Sequence, residues 1–187
     1  DITSLNQLIS LKVKHIKIPS ACNNNQALLT NLFKRFNGYC HISLGMTTES
    51  EEKKIFELSK KYKMNKKLIL YACTSDYPVK QEDICLLEIL RLKKKYGKKI
   101  CDIGFSGHHQ GISADVAAGA LGVKWVERHF TLDRTLKGTD HAASLEPDGA
   151  RRIKRDLELL TQSLKYKKKR ILNCELAQRK KLKFTNN

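Results

Sequence analysis

Short apolar runs alternate with amphipathic stretches along this chain. Five runs are compact enough for buried strands: Val13 to Ile18, Tyr39 to Ser43, Lys67 to Cys73, Lys99 to Phe105 and Val123 to His129. Apolar residues at helical spacing fill the intervals, as in Leu28, Leu29, Leu32 and Phe33, and in Ile153, Leu157, Leu160 and Leu164. The same spacing predicts helices through Leu5, Leu8 and Ile9, through Ile55, Phe56 and Leu58, through Ile84, Leu87, Ile89 and Leu90, and through Val116, Ala117, Ala120 and Leu121. Thr48 to Glu51 and Gln81 to Asp83 read as helix starts, and Gly97 and Gly122 stand where a helix gives way to a strand.

The pattern is β-α repeated, with strands too apolar to keep one face wet. Such strands belong to an α/β fold with a parallel sheet covered by helices. The repeat of roughly 25 to 30 residues fits two architectures. One is an open doubly wound sheet. The other is a TIM (β/α)8 barrel, incomplete here, with the last five strands present and the first three upstream of Asp1, because a whole barrel needs about 200 to 250 residues. The missing Gly-x-Gly-x-x-Gly fingerprint weighs against the open sheet. Residues 1–165 read as one domain, a partial barrel under the second architecture, and residues 166–187 as a basic C-terminal tail.

Composition narrows the picture. With 41% hydrophobic and 29% charged residues, the chain reads as a globular domain, and no apolar run approaches the length of a membrane span. It starts at Asp1 with no basic-then-apolar leader, which reads as a fragment or processed product without a secretory signal. Basic residues number 36 against 19 acids, a net charge of +17. They scatter over helix faces and ends, and the 7% aromatics do not interleave with them as a base-stacking platform requires. No nucleic-acid or membrane partner is therefore expected, whereas a small anionic substrate gains from the field. None of the six cysteines forms a C-x-x-C pair, and Cys40, Cys73 and Cys101 sit in apolar runs as small hydrophobes. That usage suits a reducing, cytoplasmic setting.

The candidate chemistry lies where strands end. Each strand closes on residues that burial does not need: Lys17 and Ser20; Ser43 and Gly45; Ser75 and Tyr77; Ser106 and His108; Glu127 and His129, followed by Asp140 in a polar loop. The C-terminal strand edge is the active-site face of parallel α/β folds. Lys17 reads as an ammonium for a carboxylate or phosphate, or as a lysine snorkelling from the rim. The serines read as helix caps singly, and together with glycine as an anion cradle. His108 and His129, on adjacent strands, suit a partly hydrated Mn²⁺ or Mg²⁺, and either could instead be a hydrogen-bonded core histidine. Glu127 points the same way as His129 and reads as a substrate group or an ion-pair partner. His15, His41 and His109 read as structural or surface residues.

These residues stand in the motifs Lys17-Ile-Pro-Ser20, Ser43-Leu-Gly-Met46, Cys73-Thr-Ser-Asp-Tyr-Pro78, Gly104-Phe-Ser-Gly-His-His109, Val126-Glu-Arg-His-Phe-Thr-Leu-Asp133 and Lys137-Gly-Thr-Asp-His-Ala-Ala-Ser-Leu-Glu-Pro147. In that order they resemble the sialic acid synthase family, with its legionaminate and pseudaminate relatives, over essentially the whole chain. The resemblance implies a TIM barrel that condenses phosphoenolpyruvate with N-acetylmannosamine and releases phosphate. A 2,4-diacetamido sugar is the alternative acceptor, and a degenerate sugar-binding barrel the reading of another class. It implies metal ligation by His108 and His129 (Mn²⁺ or Mg²⁺). It implies phosphoenolpyruvate contacts at Lys17, Ser20, Ser43, Gly45, Ser75 and Ser106, and catalytic roles for Glu127, Asp140 and Tyr77, the last two also on the sugar side. The sequence departs from the family at Leu44, often threonine, at Gly107, aspartate in some members, and at Ser75, asparagine in some. No antifreeze-like module is expected within these 187 residues. Oligomeric state stays open, with a homodimer among the options. A five-stranded piece has two open sheet edges. These 187 residues alone are expected to aggregate and to be inactive; a monodisperse, active monomer in gel filtration and assay would overturn that.

Overall fold

A computed structural model describes residues 1–184; residues 185–187 of the predicted tail lie outside the described residues. The elements in chain order are α1 (Ile2–Ser10), β1 (His15–Ile18), α2 (Gln26–Arg35), β2 (Tyr39–Ser43), α3 (Glu49–Lys61), β3 (Leu68–Cys73), α4 (Glu88–Tyr96), β4 (Asp102–Gly107), α5 (Ser113–Ala120), β5 (Trp125–Arg128), α6 (Pro147–Ser163) and α7 (Leu176–Leu182). The five strands form one parallel sheet in the order β1-β2-β3-β4-β5. A doubly wound sheet reverses its order at a switch point. This one never does, so the architecture is the partial barrel.

Alternation sorts the strand residues onto two faces. Ile16 and Ile18, Cys40 and Ile42, Leu68 and Leu70, and Ile103 and Phe105 join Leu29, Leu32, Ile55, Ile89 and Leu92 of the helices in one core. The opposite face carries Lys17, His41, Ser43, Tyr71, Cys73, Ser106 and Glu127. The sheet curls around that face. Four strand spacings would separate β1 from β5 by about 19 Å in a flat sheet. Lys17 Nζ and Glu127 Oε2 are nevertheless 2.9 Å apart.

Register supports closure of the same kind. From Lys17 the pocket-facing residue climbs two positions relative to its paired neighbour at Ser43 and two more at Cys73, then stays level at Ser106 and Glu127. The mean climb is about one residue per strand, the stagger of an eight-stranded barrel of shear 8.

Several boundaries differ from the pattern reading. β4 begins at Asp102 rather than Lys99, because Lys99 and Ile100 still bond back to the Tyr96 carbonyl at the end of α4. It runs past Phe105 through Ser106 and Gly107, which pair with Glu127 and Arg128. Pairing continues where the apolar pattern stops, because the sheet's inner face is polar there. Gln81–Asp83 is an isolated 3-10 turn and α4 starts only at Glu88, so Leu87 and Leu90 are exposed and the buried face is Ile89, Leu92 and Tyr96. In α5 the buried residues are Ala114, Asp115, Ala118 and Gly119; of the predicted Val116, Ala117, Ala120 and Leu121, only Leu121 packs against the core. Cys101 is exposed, so it does not serve as a core hydrophobe, whereas Cys40 is fully buried. Other expectations match. Thr48 and Glu51 form a capping box on α3. Gly122 takes φ +82 after α5, a left-handed turn in which a Cβ is strained. α6 has no fully buried residue although one of its faces is apolar, and α7 is exposed throughout. No helix among the described residues is long and apolar enough to cross a membrane.

Glu52 ties α3 to α4. It is 3% exposed and receives Arg91 Nη2 at 2.7 Å and Lys95 Nζ at 2.8 Å. Burial pushes its carboxyl up, but hydrogen bonds from Arg91 and Lys95 outweigh burial and hold it below the usual range. A lowered folded-state value adds stability that is complete above the unfolded value near 4.5 and lost as pH falls through the folded one. Glu52→Gln in the intact protein should therefore cost roughly 1–3 kcal/mol at pH 7. Urea unfolding at pH 7 and at acid pH should show the gap to wild type closing on the acid side.

Candidate active site

The polar strand ends converge on one pocket of about 260 Å³. Its walls hold eight of the predicted residues: Lys17, Ser20, Ser43, Tyr77, Ser106, His108, Glu127 and His129. Gly45 and Ser75 sit against it. A Cβ on Gly45 would lie 2.2 Å from Ser75 Oγ and 2.8 Å from Ser20 Oγ, so only glycine lets the two hydroxyls approach the backbone there. The Gly45 N–H donates to Ser20 Oγ at 3.0 Å. Ser75 Oγ is buried with no partner. Two hydroxyls therefore face one small volume, one of them held by the Gly45 amide, an arrangement suited to an anion cradle. Asp140 is the outlier. It belongs to the exposed loop after β5, and its carboxylate comes within 3.7 Å of His129 Nδ1 without lining the pocket.

Lys17 and Glu127 lie at the centre. Ile16 and Ile18 are buried against helices, which turns Lys17 inward, where it is neither a rim lysine nor unpaired. Burial pushes the Glu127 carboxyl up. The Lys17 ammonium and the Ser106 and Ser43 hydroxyls outweigh this and leave it below the usual range. The ion-pair reading and the substrate reading of Glu127 thus meet in one residue, whose partner is the other candidate charge of the site.

His108 is 5% exposed and its Nδ1–H donates to the Thr74 carbonyl at 2.8 Å, which leaves Nε2 as the free ring nitrogen. Its ring centroid is 5.2 Å from that of His129, and Tyr77 packs on both, at 4.3 and 5.7 Å. Burial lowers the His108 value, but contacts with the Cys73 thiol and the Thr74 carbonyl raise it on balance. Among the described residues no three His, Cys, Asp or Glu side chains come together as a complete metal site. The chain offers two imidazoles, one with its tautomer fixed. That donor set fits a divalent ion whose other positions go to water and substrate oxygens.

Pattern reading missed three features. Cys73, taken for a small hydrophobe, lines the pocket beside Ser20, its Sγ 3.7 Å from the hydroxyl. Asn23 is buried and donates to the Ser43 carbonyl at 2.9 Å and the Thr47 hydroxyl at 2.7 Å, fixing the turn that carries Gly45. Below the pocket, His15 Nδ1 lies 2.9 Å from His41 Nε2, and His41 Nδ1 lies 2.8 Å from the Tyr71 hydroxyl. Burial, with His15 and Lys17 nearby, pushes His41 down to about 4, so a neutral imidazole bridges the two. An alternation of small and polar residues with strand period carries no mark of these long-range bonds.

Comparison with known proteins gives a consistent result. The model of the NeuB family matches residues 1–169. Human N-acetylneuraminate-9-phosphate synthase is 38% identical over 177 residues, 94% of this chain and 47% of that protein. The N,N'-diacetyllegionaminic acid synthase of Campylobacter jejuni is 36% identical over 148 residues, 79% of this chain and 43% of that protein. The crystal structure of N-acetylneuraminic acid synthetase from Leptospira borgpetersenii, in complex with citrate, superposes with a TM-score of 0.83 at 31% identity, covering 97% of this chain and 63% of that one. The chain spans about half the length of the curated relatives it matches.

The Lys17 ammonium is what offsets burial at Glu127. Lys17→Met should raise the Glu127 carboxyl to or above the ordinary glutamate range. A carboxyl ¹³C NMR titration of the two proteins checks this, and an unmoved Glu127 would contradict it.

Proposed function

The chain belongs to the NeuB family, and on that footing we propose that the protein carrying it is a phosphoenolpyruvate-dependent sugar-acid synthase. It joins C3 of phosphoenolpyruvate to the aldehyde carbon of an N-acetylated amino sugar, N-acetylmannosamine in the first instance, and releases phosphate. The observation that carries the reading is the convergence of Lys17, the Ser20–Gly45–Ser75 cradle, Glu127 and the His108–His129 pair on one pocket.

Each group has a task. Lys17 and the hydroxyls of Ser20, Ser43, Ser75 and Ser106 hold the carboxylate and phosphate charges of phosphoenolpyruvate, together with the Gly45 amide. Tyr77 and Asp140 face the sugar. His108 and His129 would hold Mn²⁺ or Mg²⁺, which when bound supplies Lewis-acid polarisation of the aldehyde. Carbon–carbon bond formation turns the aldehyde oxygen into an alkoxide, which takes a proton from solvent, and leaves positive charge at C2, where water adds. Glu127, kept ionised beside Lys17, accepts the proton of that water; a carboxylate of lowered basicity is sufficient because the proton grows strongly acidic as the bond forms. The tetrahedral carbon then expels phosphate.

The relatives' names differ in their sugar, so the acceptor is assigned by assay. Phosphate release by the intact gene product, with Mn²⁺ and phosphoenolpyruvate, should require one of N-acetylmannosamine, its 6-phosphate or a 2,4-diacetamido hexose. No release from folded protein with any of the three would sink the synthase reading. Gly45→Ala should raise the KM for phosphoenolpyruvate by about tenfold or more, because its Cβ displaces the cradle hydroxyls. His108→Ala should weaken Mn²⁺ uptake, read by metal titration, and abolish activity.

A further inference from the structure

Strand β5 carries a second charged residue between its two site residues. Arg128 follows Glu127 and precedes His129, and by alternation its side chain leaves the sheet on the helix side. It is 5% exposed there and pairs with Asp115 of α5, whose carboxylate is fully buried. The pairing neutralises the charge, and the guanidinium is left free to tie down backbone. Nη1 donates to the Gly111 carbonyl at 2.9 Å. Nη2 donates to the carbonyls of His109 and, at 3.2 Å, Ala143. Nη1 also lies 3.1 Å from His109 Nε2.

The partners belong to two separate loops. His109 and Gly111 open the β4–α5 turn immediately after His108. Ala143 closes the 3-10 turn that begins at His141, and its N–H bonds back to the Asp140 carbonyl at 3.2 Å. One planar fork therefore holds three carbonyls on both segments that carry the second half of the pocket, while its own backbone carries His129. We propose that Arg128 is a positioning residue: it sets the spacing of the His108 and His129 rings, and the place of Asp140 beside them, from behind the sheet. A lysine at this position would keep the charge opposite Asp115 and lose the fork, since a single ammonium cannot span both loops in fixed geometry.

The proposal deepens the reading of the site as a two-imidazole metal centre, and its test separates the two. In the intact, metal-free protein, long-range ¹H–¹⁵N spectra report the His108 and His129 rings directly. Arg128→Lys should shift both ring signatures, lower Mn²⁺ affinity by about 10- to 100-fold, and reduce kcat with the KM for phosphoenolpyruvate within about threefold of wild type. Asp115→Asn keeps an acceptor for the guanidinium and all three carbonyl bonds, so it should leave the ring signatures and Mn²⁺ affinity near wild type. If Arg128→Lys does not fold, the Asp115→Asn result decides alone: a tenfold loss of affinity or moved histidine signatures there would overturn the role of the fork. Unmoved histidine signatures in a folded Arg128→Lys protein, with only a lower melting temperature, would also overturn it. A wild-type protein that takes up no Mn²⁺ would sink the metal reading and leave the ring spectra to judge Arg128.

Discussion

The Lys17–Glu127 ion pair is the contact on which the site depends. It joins the first strand to the last across the concave face, and it can exist only because the sheet curls. Either charge is costly to leave alone in that partly buried position. Lysine inside a barrel needs an anion, and a half-buried carboxylate needs a cation. Lys17 is placed by Ile16 and Ile18, and Glu127 by Val126 and Arg128, which commit the neighbouring positions to the helix face. Curvature, alternation and charge pairing are thus one constraint expressed three ways. The pair also fixes the charge state of the site, since Glu127 stays ionised by virtue of Lys17.

Strand β5 shows the same logic at its limit. It has four residues and none is fully buried, so apolar burial contributes little to holding it. Its last two residues, Glu127 and Arg128, face opposite ways and each finds a counterion, Lys17 in front and Asp115 behind. The strand is held by electrostatics from both sides of the sheet. Buried pairs of this kind are a poor source of net stability, but they specify one arrangement and exclude a slipped register. A two-residue slip of β5 would keep the alternation and separate both pairs.

Much of this was legible in the sequence. The five strands, the capping box of α3 and eight of the pocket residues follow from local pattern, because strand period and strand ends are local properties. The family resemblance rests on the same strand-end motifs, and the family match agrees with it. What pattern alone left open was the choice between an open sheet and a barrel arc, which strand order decides. The helix faces of α4 and α5 were misread for a physical reason. Leu87 lies before the first turn of its helix, and the small residues of α5 pack equally well on several faces, so composition does not identify the buried one. The Arg128–Asp115–His109 cluster was invisible for another reason. An aspartate on a small-residue helix and an arginine in a strand look like surface residues until the fold places them together.

The pocket divides into two halves with different chemistry. On the β1–β3 side lie Lys17, Ser20, Gly45 and Ser75, a set of donors that suits anionic oxygens. On the β4–β5 side lie His108, His129 and the approaching Asp140, with Tyr77 packed over the rings. Glu127 stands between them. A bimolecular condensation gains most from a site that holds two reactants apart in identity but adjacent in space, because the orientation entropy is then met before the bond forms. A staggered parallel sheet is well suited to this. Its strand ends climb around the arc, so residues far apart in the chain arrive at one level from different directions. Each half is stabilised by its own second layer: Asn23 beneath the cradle and Arg128 behind the imidazoles. The two halves can then vary separately, one in its anion donors and the other in the imidazoles and the ring of Tyr77.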